Sequence, residues 1–569
     1  FATSISGVHS FTQHFTLVAG MLGGAVAARR SQLLALATGN LLAKGRFGPV
    51  ARGYTAVVGV AITIYLTLAG LRFIAVEREA ATTIAYGVSA WVLELSIPIG
   101  FGLVAWRIVR GASDTWRGRI IVLASSLAIA WLADAIPAES GLFVPLGLAV
   151  VLSATVLGAP IYTVLGGIAL VLFRAAEVPI AAVTVEHYQL STNATLPALP
   201  LFTLAGYVMA QSGASRRLIR LFQALVGHIR GGPGLLTAIA CAFFTSFTGA
   251  SGVTILALGG LLMPVLIAAN YSERTALGLL TGTGSLGLLL PPCLPLILYA
   301  IIAQVDIVDM FLGGVIPGIL IVAMVGAWAI AKAPPPKRTG PRPAFRWREA
   351  RDAVSDAKWE LLIPVVALGG MFSGLATAVE AAALTAFYAL FVEVAIHRDL
   401  RIGKDLTRVF AECGALVGGL LLVLGVALGF TNYLVDAEVP TKAVEWVTAS
   451  IESPWMFLLL LNVFLIVVGA LMDIYSALVI VVPLIVPMGV AFGIDPVHLG
   501  IVFLANAELG YLMPPMGENV FIAALRFEKP LAEVFRSVIP MVIVFAVAVL
   551  LITYIPALTT TLPALVGGP

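Results

Sequence analysis

Leu289-Leu290-Pro291-Pro292 and Leu512-Met513-Pro514-Pro515 end the same pattern twice, 223 positions apart, and that offset also carries Pro264 onto Pro487 and Gly287 onto Gly510. Agreement at four anchors marks an internal repeat, residues 234–302 against 456–525. Each copy has one plan. An apolar run reaches a small or polar kink (Thr248-Gly249-Ala250-Ser251-Gly252 in one, Gly469-Ala470-Leu471-Met472-Asp473 in the other). A second run ends at proline, a short polar turn follows, and a helix is then interrupted before the double proline. The runs beside the first kink, 235–247 and 253–267, hold 13 and 15 residues, against roughly 17–25 for a membrane span. Two re-entrant hairpins, each followed by a broken helix, are therefore predicted.

The surrounding composition places this repeat in a bilayer. Of 569 residues, 60% are hydrophobic and 11% charged, where a soluble domain carries about a quarter charged residues. Apolar stretches such as 120–133 and 538–552 are continuous rather than alternating, so helices cross the membrane and a barrel does not. An all-α polytopic membrane protein follows. Unwound backbone at membrane depth persists only where it faces protein, water or an ion. Interruptions at matching positions in two halves thus point to a secondary-transport site at the repeat interface.

Basic residues set the sidedness. Lys332, Lys337, Arg338, Arg342, Arg346, Arg348, Arg351 and Lys358 crowd one connection, which reads as cytoplasmic, while Asp436 to Glu452 reads as external. With 270–274 inside and 493–496 outside, the two copies are expected to be inverted. Residues 333–348, rich in proline, read as a linker rather than a proline-motif ligand. Residues 31–44 read as an amphipathic stretch. Cys241, Cys293 and Cys413 have no metal-binding spacing. Gly282-Thr283-Gly284-Ser285-Leu286-Gly287 spells a dinucleotide fingerprint, but no strand precedes it, so that reading fails. Scattered histidines and the absence of hydrolase or zinc motifs argue against an intramembrane enzyme. No nucleic-acid partner or organic cofactor is expected.

Several motifs together resemble the membrane subunits of tripartite ATP-independent periplasmic (TRAP) transporters, with small and large subunits fused. They are Leu199-Pro200-Leu201-Phe202-Thr203-Leu204-Ala205-Gly206, Thr248-Gly249-Ala250-Ser251, Leu289 to Leu296, Gly313-Gly314-Val315-Ile316-Pro317-Gly318, Met472-Asp473 and Met513-Pro514-Pro515-Met516-Gly517-Glu518-Asn519. Gly24-Ala25, Arg29-Arg30 and Pro98-Ile99-Gly100-Phe101 carry it in the small part. The first of four small-subunit helices is not found, so a segment upstream of Phe1 is expected. The resemblance implies an elevator fold of the ion-transporter-superfamily kind, sodium coupling, and a periplasmic substrate-binding protein delivering a carboxylate or sulfonate across the bacterial inner membrane. A stand-alone sodium/anion symporter is the alternative transport reading, disfavoured by the fused small module.

On this reading 1–112 is the small-subunit module, 113–140 a connecting span, and 141–233 scaffold helices with an interfacial arm. Residues 234–310 and 456–530 are the two hairpins with their broken helices. Residues 311–455 hold scaffold helices, the linker and a second arm, and 531–569 a last scaffold helix. The candidate sodium ligands are Gly249, Ser251, Gly282, Thr283 and Gly287 in the first copy and Gly469, Asp473, Asn506 and Gly510 in the second. A kink of glycine and serine offers bare carbonyls and a hydroxyl. The substrate anion is expected at the helix amino ends of both kinks, among Ser251, Gly252, Pro291, Asp473, Ser476, Pro514 and Asn519. Glu508 and Glu518 stand where the resemblance expects apolar or small residues; they are read as a possible proton or cation site.

Overall fold

The structure is a computed structural model describing residues 7–34, 48–191, 193–335, 345–515 and 517–566. Most of the 31–44 stretch and the middle of the proline-rich linker, with Lys337, Arg338 and Arg342, lie outside the described residues. So does Met516. Among the described residues the elements are helical, with one isolated bridge between Thr83 and Ser89, and ten helices are long and apolar enough to cross a membrane. The chain divides by packing into two units.

The first unit comprises 1–200, 410–446 and 479–484. Helix Val8–Arg30 packs on Ser96–Ala112, which in turn packs on the 33-residue helix Gly48–Ala80. The Gly24-Ala25 motif has a steric explanation. A Cβ on Gly23 would lie 2.1 Å from the Gly414 carbonyl oxygen, and one on Gly24 would lie 2.2 Å from Leu422. Small residues there let two apolar helices meet backbone to backbone, the usual basis of helix association where no hydrophobic effect operates.

The second unit comprises 201–409, 447–478 and 485–569 and contains both hairpins apart from residues 479–484 in the second arm of the second hairpin. Its first copy runs α1 (Gly232–Thr248), α2 (Ser251–Ala268), α3 (Glu273–Thr283), α4 (Leu294–Ala303) and α5 (Ile307–Ala331). The second runs α6 (Pro454–Leu471), α7 (Ile474–Ala491), α8 (Pro496–Gly510), α9 (Glu518–Arg526) and α10 (Leu531–Tyr554). Both ends of α2 map onto both ends of α7 at the offset of 223, and the last residues of α4 and α5 map onto those of α9 and α10. The repeat therefore extends one helix beyond the sequence comparison. Pro317 inside α5 and Pro540 inside α10 obey the same offset. Packing is reciprocal between the copies: α3 lies against α10 and α9, while α8 lies against α5 and α4.

The hairpin arms are longer than their apolar runs. They hold 17, 18, 18 and 18 residues; in the first hairpin helix also covers Gly232-Pro233-Gly234 and Thr248 in one arm and Ser251, Gly252 and Ala268 in the other. At 1.5 Å per residue each arm reaches about 26–27 Å, close to the hydrocarbon thickness. Arm length thus does not separate a re-entrant hairpin from a span, and the reading rests on the breaks themselves.

At one edge of this unit, Arg217 on the amphipathic helix Ala214–Val226 pairs with Glu360, with Glu393 at 2.8 Å and with Asp399 at 2.6 Å. Glu360 and Glu393 are fully buried. The cluster joins Ala214–Val226 to helix Lys358–Phe372 and to the end of helix Ala378–Phe391.

Candidate functional site

The two kinks are real interruptions of the helical backbone, the first largely buried and the second half-buried. At the first, Gly249 adopts φ +66° and Ala250 is extended. A left-handed φ is open to glycine at little cost and is unfavourable for other residues. At the second, Met472 and Asp473 are both extended. The broken helices are interrupted between Thr283 and Leu294 and between Gly510 and Glu518, with cis peptide bonds at Pro291-Pro292 and Pro514-Pro515.

Each first arm meets its own broken helix at matching positions. A Cβ on Gly287 would lie 2.3 Å from the Ser246 nitrogen, and one on Gly510 would lie 2.7 Å from the Gly469 Cα. Gly287 corresponds to Gly510 and Ser246 to Gly469. These glycines serve a close backbone approach that brings each kink beside an unwound segment, which is where the sequence placed the ion ligands.

The copies also touch one another at the tips. The Tyr475 hydroxyl donates to the Gly249 carbonyl at 2.5 Å, and Asn519 Nδ2 donates to Ser285 Oγ at 3.3 Å. Within the second copy the Ile474 amide donates to the Tyr511 hydroxyl at 2.9 Å. Within the first, the Thr245 hydroxyl contacts Thr254 Oγ1 and the Gly284 carbonyl, each at 2.8 Å. Tyr475, Tyr511, Thr245, Thr254 and Ser285 were not singled out from the sequence. The threonines flanking the kink were the visible signal, whereas nothing in the sequence says that a tyrosine of one copy reaches a carbonyl of the other.

Asp473 caps its own helix. Its Oδ1 accepts from the amides of Tyr475 and Ser476 at 3.0 Å each, and the Ser476 hydroxyl donates to its Oδ2. At the start of α7, one of the two helix ends where the sequence places the anion, these two amides and the Ser476 hydroxyl are engaged by Asp473. At α2 the equivalent residue is Ala250, which supplies no side-chain cap. The tips are chemically unequal.

Among the remaining candidates, Ser251, Thr283 and Asn519 are buried, Pro291 is half-buried and Pro514 is exposed. The Thr283 hydroxyl donates to Leu280, and Gly282 lies against Met541 of α10, where a Cβ would come within 2.7 Å of it. Asn506 Nδ2 donates to Asn462 Oδ1 at 2.7 Å and to Val502 at 2.8 Å, while its Oδ1 is buried without a partner. Glu508 is fully buried beside the Leu289 backbone, and neither carboxyl oxygen has a partner of ordinary geometry. Glu518, the first residue of α9, has the Tyr511 hydroxyl and Asp473 as neighbours, and its Oε1 lies 3.8 Å from where a Cβ on Gly252 would sit.

Residues 147–558 match the family described as tripartite ATP-independent periplasmic transporter, DctM component. The chain belongs to this family. It is 33% identical over 404 residues to the C4-dicarboxylate TRAP transporter large permease protein DctM of Pseudomonas aeruginosa, covering 71% of this chain and 93% of that one. It is 32% identical over 483 residues to the isethionate TRAP transporter permease protein DctMQ of Oleidesulfovibrio alaskensis, covering 82% of this chain and 74% of that one. Among solved structures it is similar to the Alcanivorax borkumensis YdaH transporter, at 12% identity and a TM-score of 0.49, covering 67% of this chain and 88% of that one. As a TRAP membrane component the protein is an inner-membrane permease rather than an enzyme, and it works with a periplasmic substrate-binding protein to carry small organic anions.

Proposed function

We propose that this TRAP permease couples uptake of a small carboxylate or sulfonate to sodium entry and moves its hairpins and broken helices as an elevator. The supporting observation is the bond between Tyr475 and the Gly249 carbonyl. It ties both interrupted tips into one buried polar unit, as a site carried across the membrane in one piece requires. Sodium takes oxygen ligands, and the partnerless Asn506 Oδ1 beside the Gly469–Gly510 approach is an acceptor awaiting one. Glu508 is a second place where a cation would neutralise a buried carboxylate. The relatives named above carry C4-dicarboxylates and isethionate; a sialic acid permease of Vibrio cholerae and an ectoine permease of Halomonas elongata are also similar, at 31% and 29% identity.

Proteoliposome uptake tests the proposal. Accumulation that needs both an inward sodium gradient and the cognate binding protein is the expected result. Uptake without the binding protein would favour a stand-alone symporter, and uptake indifferent to sodium would sink the coupling.

A further inference from the structure

The charge of the site's interior constrains what enters it. In the stretches 232–305 and 454–526, which hold both hairpins and both broken helices, the basic side chains are Arg274, His498 and Arg526. Arg274 donates to the Arg536 carbonyl and lies nine residues, about 13 Å of helix, from Thr283. The His498 ring is bonded to Thr559. Arg526, the last residue of α9, lies against Gly260 of α2, eight residues or about 12 Å of helix from Gly252. None of the three sits at the tips. Against them stand three interior carboxylates, Asp473, Glu508 and Glu518, all in the second copy.

Asp473 is spent on the backbone amides of its own helix. Glu518 faces the first turn of α2 across Gly252, so a carboxylate of the protein stands beside the start of α2, the hairpin-tip helix start that no side chain caps. Next to it Asn519 Oδ1 is fully buried and has no partner, while its Nδ2 is held by Ser285. The buried Glu508 carboxyl, beside the Leu289 backbone, is an acceptor too. Around the two unwound segments, the carboxyl and amide oxygens therefore call for hydrogen-bond donors or positive charge.

A dianion would set its second negative charge against Glu518 where water is scarce and like charges repel strongly. The geometry points to a substrate that carries one carboxylate or sulfonate together with a protonated nitrogen: the acid group meets the uncapped start of α2, and the nitrogen donates to Glu518 and Asn519 Oδ1. This rests on the organic-acid uptake proposed above and narrows its substrate class.

The test uses the full-length chain in detergent with sodium, and two isosteric pairs as probes, taurine against isethionate and β-alanine against 3-hydroxypropionate. Members of a pair differ in an ammonium or a hydroxyl. The ammonium member should raise the melting temperature at about tenfold lower concentration, since a charged hydrogen bond contributes on that order. Glu518→Gln should erase this preference, and Glu518→Asp should retain part of it. A preference for the hydroxyl members, no response to either ammonium member, or a preference that survives Glu518→Gln overturns the inference. A hydroxy-acid preference would do so while leaving sodium-driven organic-acid uptake intact.

Discussion

The hydroxyl of Tyr475 donates to the carbonyl of Gly249 at 2.5 Å, so a residue two positions after the second kink satisfies the backbone of the first. Both residues are buried. Tyr475→Phe strands the Gly249 carbonyl, a loss of about 1–3 kcal/mol, and uncouples the tips. The expected result is a lower melting temperature and an uptake rate that falls further than the loss of folded protein explains. Unchanged uptake would detach the tip-to-tip bond from transport.

Asp473 combines a cap with a candidate ion ligand, and two substitutions separate these roles. Asn caps a helix about as well as Asp, whereas Ala forfeits about 1 kcal/mol of capping. Weaker sodium dependence of uptake in both Asp473→Asn and Asp473→Ala indicates ligation. If only the alanine variant is affected, and only in stability, Asp473 is a cap alone.

Gly287 and Gly510 are predicted to be equally intolerant of a methyl group, because each backs onto its own first arm at an equivalent position. Alanine at either position should destabilise by about 1–3 kcal/mol through overpacking. Thermal unfolding of the two variants checks this, and a tolerant Gly510→Ala would show that the second approach is looser than the first.

Arg217 neutralises two fully buried carboxylates, so Arg217→Met should be among the most damaging changes outside the tips, at about 3–5 kcal/mol. A pH dependence accompanies it. Burial pushes the Asp399 carboxyl up, but Arg217 and the Gly213 amide outweigh burial and hold it below the usual carboxylate range. A group depressed in the folded state adds stability above its unfolded pKa, about 3.9, and loses it as pH falls through the folded value. Melting temperature measured downward from pH 5 should therefore drop more steeply in the wild type than in Arg217→Met.

Much of the fold was legible because bilayer insertion and helix breaking are local in sequence. Apolar stretches long enough to cross, the double prolines, and glycine at 249, 287, 469 and 510 each state a constraint without reference to distant residues. The reach of the repeat through α5 and α10 was harder to see, since the glycines around Pro317 fall on Arg536, Ser537 and Met541 around Pro540. The arm lengths were underestimated for a similar reason: Gly232-Pro233-Gly234 reads as a turn, yet proline is well placed in the first turn of a helix.

By itself the sequence determined that this chain is a helical membrane protein, twice interrupted at corresponding positions, with the small residues that permit close approach. Only the tertiary structure decided which groups satisfy which. Tyr475 reaches Gly249, Asn519 reaches Ser285, Asp473 turns back on its own helix, and Glu508 is buried beside the Leu289 backbone. The physical reason is that breaking a helix is a property of a few adjacent residues, whereas hydrogen-bond satisfaction in a buried site depends on side chains more than two hundred positions apart, and the packing of two repeats sets those pairings.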